Sequence, residues 1–92
     1  MIRHNTKYAA LDTLKMIVAG IIGSEEDFTT ESGLADNLLH LKVWTKPEHI
    51  AILLGRNHMI KESIINILRP ICRNNGADDV YIRFEDVSKK NG

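Results

Sequence analysis

The residues best suited to chemistry stand together at Gly55-Arg56-Asn57-His58. They interrupt the stretch from Ile50 to Ile71, in which two apolar, helix-patterned segments flank a polar turn. Glycine gives the start of such a turn conformational freedom that other residues lack. A helix that begins directly after it points its first unpaired amides back toward the turn. Amides at a helix start beside the positive Arg56 side chain form a geometry suited to a phosphate. Before the turn, Ile50, Ile52, Leu53 and Leu54 are apolar. After it, Ile60, Ile64, Ile67, Leu68 and Ile71 recur at the spacing of one helix face.

No other group of residues forms a reactive set. The chain has no G-x-S-x-G, H-E-x-x-H, Walker or dinucleotide signature, so no enzymatic activity is expected. The histidines are His4, His40, His49 and His58; His49 and His58 flank the turn nine residues apart with no second carboxylate or thiol joining them at ligand spacing, and neither metal nor cofactor is expected. Glu25, Glu26 and Asp27 read as a solvated linker. Cys72 is the single cysteine and cannot close an intramolecular disulfide, which fits a reducing compartment and a cytoplasmic location. Beside Ile71 it reads as a buried helix residue.

A chain of 92 residues has the size of one domain with one small core. Twelve Lys and Arg balance twelve Asp and Glu, which excludes a protein that grips nucleic acid by charge alone. A small local site remains open to it. The charges cluster, with Arg56, Lys61, Arg69 and Arg73 opposed only by Glu62 between positions 56 and 73. No apolar run approaches a membrane span, and no signal peptide is expected at the N-terminus.

The elements that must hold the turn follow from periodicity. Leu11, Leu14, Val18 and Ile21 predict one buried helix face over 7–22, with Ile17 and Ile22 beside it and Asp12 and Lys15 outside. Asn5 or Thr6 suits its N-cap and Gly23 a left-handed C-cap. Residues 28–32 predict a short strand and 33–37 a turn or loop. In 38–44, Leu39, Leu41 and Val43 alternate with His40, Lys42 and Trp44, so the first set faces a core and the second solvent or a partner. Trp44 is expected to pack against the strand edge or the following helix start; with Lys42 nearby it would also suit base stacking. Thr45 is the candidate N-cap of a helix to Leu54, with Pro47 and Glu48 in its first turn. The next helix starts near Met59 and is expected to kink at Pro70 before the Asn74-Asn75-Gly76 stop. Val80, Ile82 and Phe84 alternate with Tyr81, Arg83 and Glu85 in a last strand, and 88–92 read as a frayed tail. The sum is a two-layer α+β domain with helices on one face of a three-stranded sheet.

The run from Lys46 to Ile64, with its helix, glycine-started turn and second helix, resembles the second half of a KH domain. The strand before it, the Asn75-Gly76 stop, the closing strand and the N-terminal helix resemble the type II order αββααβ of the small bacterial single-KH proteins, over roughly residues 7–86 of a single domain spanning 1–92. The resemblance implies single-stranded RNA binding, with the loop clamping the backbone of about four nucleotides in a groove. It implies RNA-binding roles for Gly55, Arg56, Asn57, His58, Lys61 and Lys42, over an apolar floor from Ile52, Leu54, Ile60 and Ile64. Gly55 matches the first glycine of the family's GXXG loop and Arg56-Asn57 its variable pair. His58 stands where the second glycine belongs, adding bulk where the sugar-phosphate backbone must come close. The alternative expectation is a degenerate KH fold that serves as a protein-interaction or regulatory module without RNA. A protein partner or a homodimer is compatible with both.

Overall fold

The computed structural model describes residues 6–90. Its first element is helix α1, Thr6–Ile22. Leu14 and Val18 are fully buried, Leu11, Ile17, Ile21 and Ile22 flank them, and Asp12 and Lys15 are exposed. Ala10 joins the buried face. Thr6 already lies inside the helix, and Asn5 falls outside the described residues. Gly23 ends the helix at φ 81°, donating its amide to the Ala19 carbonyl at 2.8 Å, the single bond of a left-handed C-cap.

Two antiparallel strands follow, β1 at Thr29–Ala35 and β2 at Leu38–Thr45. Strand β1 runs through Gly33, Leu34 and Ala35, where a turn or loop was expected. The turn itself is only Asp36-Asn37, at φ 53° and 62°. Two successive left-handed residues make the tight hairpin turn whose twist matches that of the strands, and Asp and Asn tolerate it better than most residues. Side-chain composition alone therefore overstated the loop. The tip is also held from outside. The Asn37 side-chain amide donates to the Gly76 carbonyl at 2.9 Å and to the Asp78 carboxylate at 3.1 Å, and the Asp78 amide donates to the Asn37 carbonyl at 2.8 Å.

Helix α2 spans Pro47–Leu54, a 3-10 turn spans Arg56–His58, and helix α3 spans Met59–Asn74. Strand β3, Asp79–Asp86, then pairs parallel to β2 on the side away from β1. The sheet is three-stranded and mixed, in the order β1-β2-β3. Leu39, Leu41, Val43, Val80 and Ile82 point to one face and are buried there under the helices, with Leu14, Val18, Leu53, Ile64, Leu68 and Cys72. The architecture is α+β with the helices on that one face. Among the described residues no helix is long and apolar enough to cross a membrane.

Three local expectations change. Thr45 does not cap α2; Lys46 holds that position, without a side-chain bond. Thr45 is instead buried as the last residue of β2, its hydroxyl donating to the Asp27 carbonyl at 2.8 Å and meeting His49 Nδ1 at 3.1 Å. With the single hydroxyl proton given to Asp27, His49 Nδ1 is the donor in that pair. Ile67 is 51% exposed rather than core. The buried stripe of α3 follows Ile64, Leu68 and Cys72 with Ile65 beside them, and at 100° per residue Ile67 lies about 115° from its centre. The tail does not fray at Ser88. Val87–Lys89 form a 3-10 turn capped by the Asp86 carboxylate, which accepts from the Ser88 amide at 3.0 Å and the Ser88 hydroxyl at 2.9 Å.

Helix α3 continues through Pro70. It ends as a Schellman motif, with the Ala77 amide donating to the Cys72 carbonyl at 3.0 Å and the Gly76 amide, at φ 101°, to the Arg73 carbonyl at 3.2 Å. Burial raises the pKa of the Cys72 thiol, as expected of a packing residue rather than a reactive one.

Candidate nucleic-acid interface

Gly55 adopts φ 73°, ψ 177°, a region open essentially to glycine alone. A Cβ placed there would sit 2.6 Å from Ile60 Cγ1 and 2.9 Å from Ile60 Cβ. Glycine is thus required twice, by backbone angle and by the Ile60 side chain packed against it. This close approach starts the turn and places Ile60 against the core.

Asn57 (φ 54°, ψ 32°) and His58 (φ 60°, ψ 25°) are both left-handed. The His58 amide donates to the Gly55 carbonyl at 3.2 Å and the Met59 amide to the Arg56 carbonyl. Helix α3 then begins with no side-chain cap. A non-glycine residue in this conformation costs about 1–2 kcal/mol, with Asn and His among the more tolerant. The loop holds two such residues in succession. Arg56, Asn57 and His58 are exposed, and among the described residues none of their side chains has a hydrogen bond or an ion pair.

The cluster of cations expected along α3 divides in two. Arg69 Nε donates to the Asp79 carboxylate at 2.9 Å, and its Nη1 to Asn66 Oδ1 at 3.2 Å. Arg69 and the Val80 amide hold the Asp79 carboxyl below its usual pKa, and Asp79 raises that of Arg69. Arg73 Nε donates to the Asp78 carbonyl at 3.2 Å. Both arginines thus tie the end of α3 to the start of β3. Arg56 and Lys61, at the start of α3, make no such bond among the described residues.

Lys42 is not brought to the loop. It lies on the open face of the sheet with its Nζ 5.1 Å from the Trp44 ring centroid, while the helices cover the opposite face. Lys90 Nζ approaches the same ring at 5.8 Å and donates to Thr29 Oγ1 at 3.2 Å. Trp44 is half-buried with both cations near its ring, and its Nε1 is buried without a hydrogen-bond partner among the described residues.

Of the expected groove floor, Ile64 is core, Ile60 and Leu54 are half-buried and Ile52 is 46% exposed. Met59, 63% exposed directly after the loop, had not been singled out by periodicity. A larger recess of about 600 Å³ lies between α1 and the start of β1, lined by Lys15, Met16, Glu25 and Phe28 among others, and shares no residue with the loop. The described residues contain no group of three or more His, Cys, Asp or Glu side chains placed to hold a metal ion. No family model, curated protein or solved structure matches the chain.

Proposed function

We propose that the protein is a KH-like module that binds single-stranded RNA weakly through the loop Gly55–His58 and the start of α3. One observation carries the reading: a loop with two left-handed non-glycine residues leads into an uncapped 16-residue helix, while Arg56, Asn57 and His58 stay exposed and unpartnered among the described residues. Backbone strain retained without local compensation is a mark of functional loops. A helix start without a side-chain cap, with Arg56 and Lys61 nearby, suits a phosphate. The chain order α1, β1, β2, α2, α3, β3 and the parallel β2–β3 pair support the type II KH comparison. With zero net charge and few cations at the loop, affinity is low and falls as salt rises.

The test is titration of a single-stranded RNA at low salt against the wild type and Arg56→Asp/Asn57→Asp. Both positions are exposed, so the double variant is expected to fold and to lose about tenfold or more in affinity. Unchanged binding removes the loop from the mechanism.

A second reading, a protein-interaction module without RNA, is favoured by the exposed apolar side chains of Ile52 and Met59 beside the loop. It is the better reading if RNA fails to bind and a partner that co-purifies with the protein is released by Met59→Lys.

A further inference from the structure

The open face of the sheet carries a second arrangement, unrelated to the loop. Strand pairing sets Gly33, His40 and Tyr81 in one row across β1, β2 and β3. The His40 and Tyr81 rings are stacked, centroids 5.4 Å apart and planes inclined by 29°. Neighbouring strands lie about 4.8 Å apart, so the two rings stand side by side on their strands. The other face of the His40 ring therefore looks over Gly33, which places no side chain there. The row is a stack of two rings with room for a third plane. A recess of about 330 Å³ occurs there, lined by Glu31, Gly33, His40, Lys42, Tyr81 and Arg83. This lies at the small end of ligand sites, which run from about 300 to 1,000 Å³.

The next row supplies charge. Glu31, Lys42 and Arg83 lie side by side across the three strands. Arg83 is widely exposed and pairs with Glu85 at 3.0 Å, a surface contact that exchanges readily for a phosphate. Lys42 lies over Trp44, which extends the aromatic surface along β2. Exposed rings flanked by cations on an open sheet are the physical requirements of a base-stacking platform.

We propose that this face binds single-stranded nucleic acid, with one nucleobase stacked on His40 above Gly33 and the adjacent phosphates held by Lys42 and Arg83. The base takes the third place in the row, and the Glu31 carboxylate at the rim accepts from an exocyclic amino group. The site is independent of the Gly55–His58 loop.

Gly33 provides the cleanest test. Its φ is outside the left-handed region, and a Cβ there meets nothing within 4 Å. Gly33→Val therefore keeps the strand and fills the third place. The full chain, labelled for NMR, is titrated with a short single-stranded oligoadenylate and, separately, with adenosine 5′-monophosphate. Oligoadenylate is expected to move the Gly33 amide and the His40 and Tyr81 ring resonances, and Gly33→Val to weaken this by about tenfold or more, as does His40→Ser should the valine variant unfold. Arg56→Asp/Asn57→Asp is expected to leave these shifts in place, so failure of the loop reading and failure of this one are separate results. Absence of the shifts, their persistence in both sheet variants, or equal binding of the mononucleotide at the same base concentration overturns the proposal.

Discussion

Two places in this small fold use the same backbone device for different ends. The hairpin tip Asp36-Asn37 and the loop Asn57-His58 each hold two successive non-glycine residues in the left-handed region, at φ 53° and 62° and at φ 54° and 60°. At the tip the conformation is tied down. Asn37 spends its side-chain amide and its carbonyl on the segment between α3 and β3, joining positions about forty residues apart in the chain. At the loop the side chains that follow Gly55 face solvent, with no such bond among the described residues. The tip is tied to a distant segment by side-chain bonds and the loop is not, and the proposed RNA-binding role of the loop rests on that contrast.

The largest effect that can sharpen this contrast is expected at the glycine that starts the loop. Gly55→Ala meets both a glycine-only backbone and the Ile60 side chain, and should destabilise by about 2–4 kcal/mol in denaturant unfolding. A cost under about 0.5 kcal/mol would show that the turn relaxes without penalty. Next is Asn37→Ala, which removes two side-chain hydrogen bonds at the hairpin tip and should cost about 1–2 kcal/mol by the same measurement. His58→Gly should act in the opposite direction. It relieves a left-handed side chain that has no partner, and the entropy lost with glycine offsets part of the gain, leaving about 0.5–1 kcal/mol of stabilisation. If His58→Gly destabilises, the histidine makes a contact that ties the loop to the fold, and the contrast with the tip disappears.

The smallest effect is pH-dependent and lies close to the hairpin tip, where Arg69 holds Asp79. The Asp79 carboxyl is depressed in the folded state, so its contribution is complete above the ordinary carboxylate value of about 3.9 and is lost as pH falls through the lower folded value. The difference in Tm between wild type and Asp79→Asn should therefore be greatest near neutral pH and shrink below about pH 4. A difference that stays constant across that range would remove the ion pair from the account.

Much of the frame was legible because local signals carried it. The apolar face of α1, the Gly23 and Gly76 stops, the alternation in β2 and β3 and the break at Gly55 each depend on residues close in sequence. The loop was legible as a position, with the bulk of His58 in place of a glycine, whereas the close approach of Ile60 to Gly55 was not. Nor was the division of the cations, because Arg69 and Arg73 are taken up by Asp78 and Asp79 only once β3 has returned beside β2.

Local sequence by itself determined where α1 and α3 stop, where the chain breaks at Gly55 and which strand faces are apolar, because hydrogen bonds and side-chain periodicity act over a few residues. Tertiary structure alone decided that β1 runs through Gly33 to Ala35, that Thr45 is buried against Asp27 rather than capping α2, and that Lys90 returns over Trp44. It also decided that Lys42 belongs to the sheet face and not to the loop. Each of these depends on which strand lies beside which, a choice made by burying one shared apolar face rather than by any short run of residues.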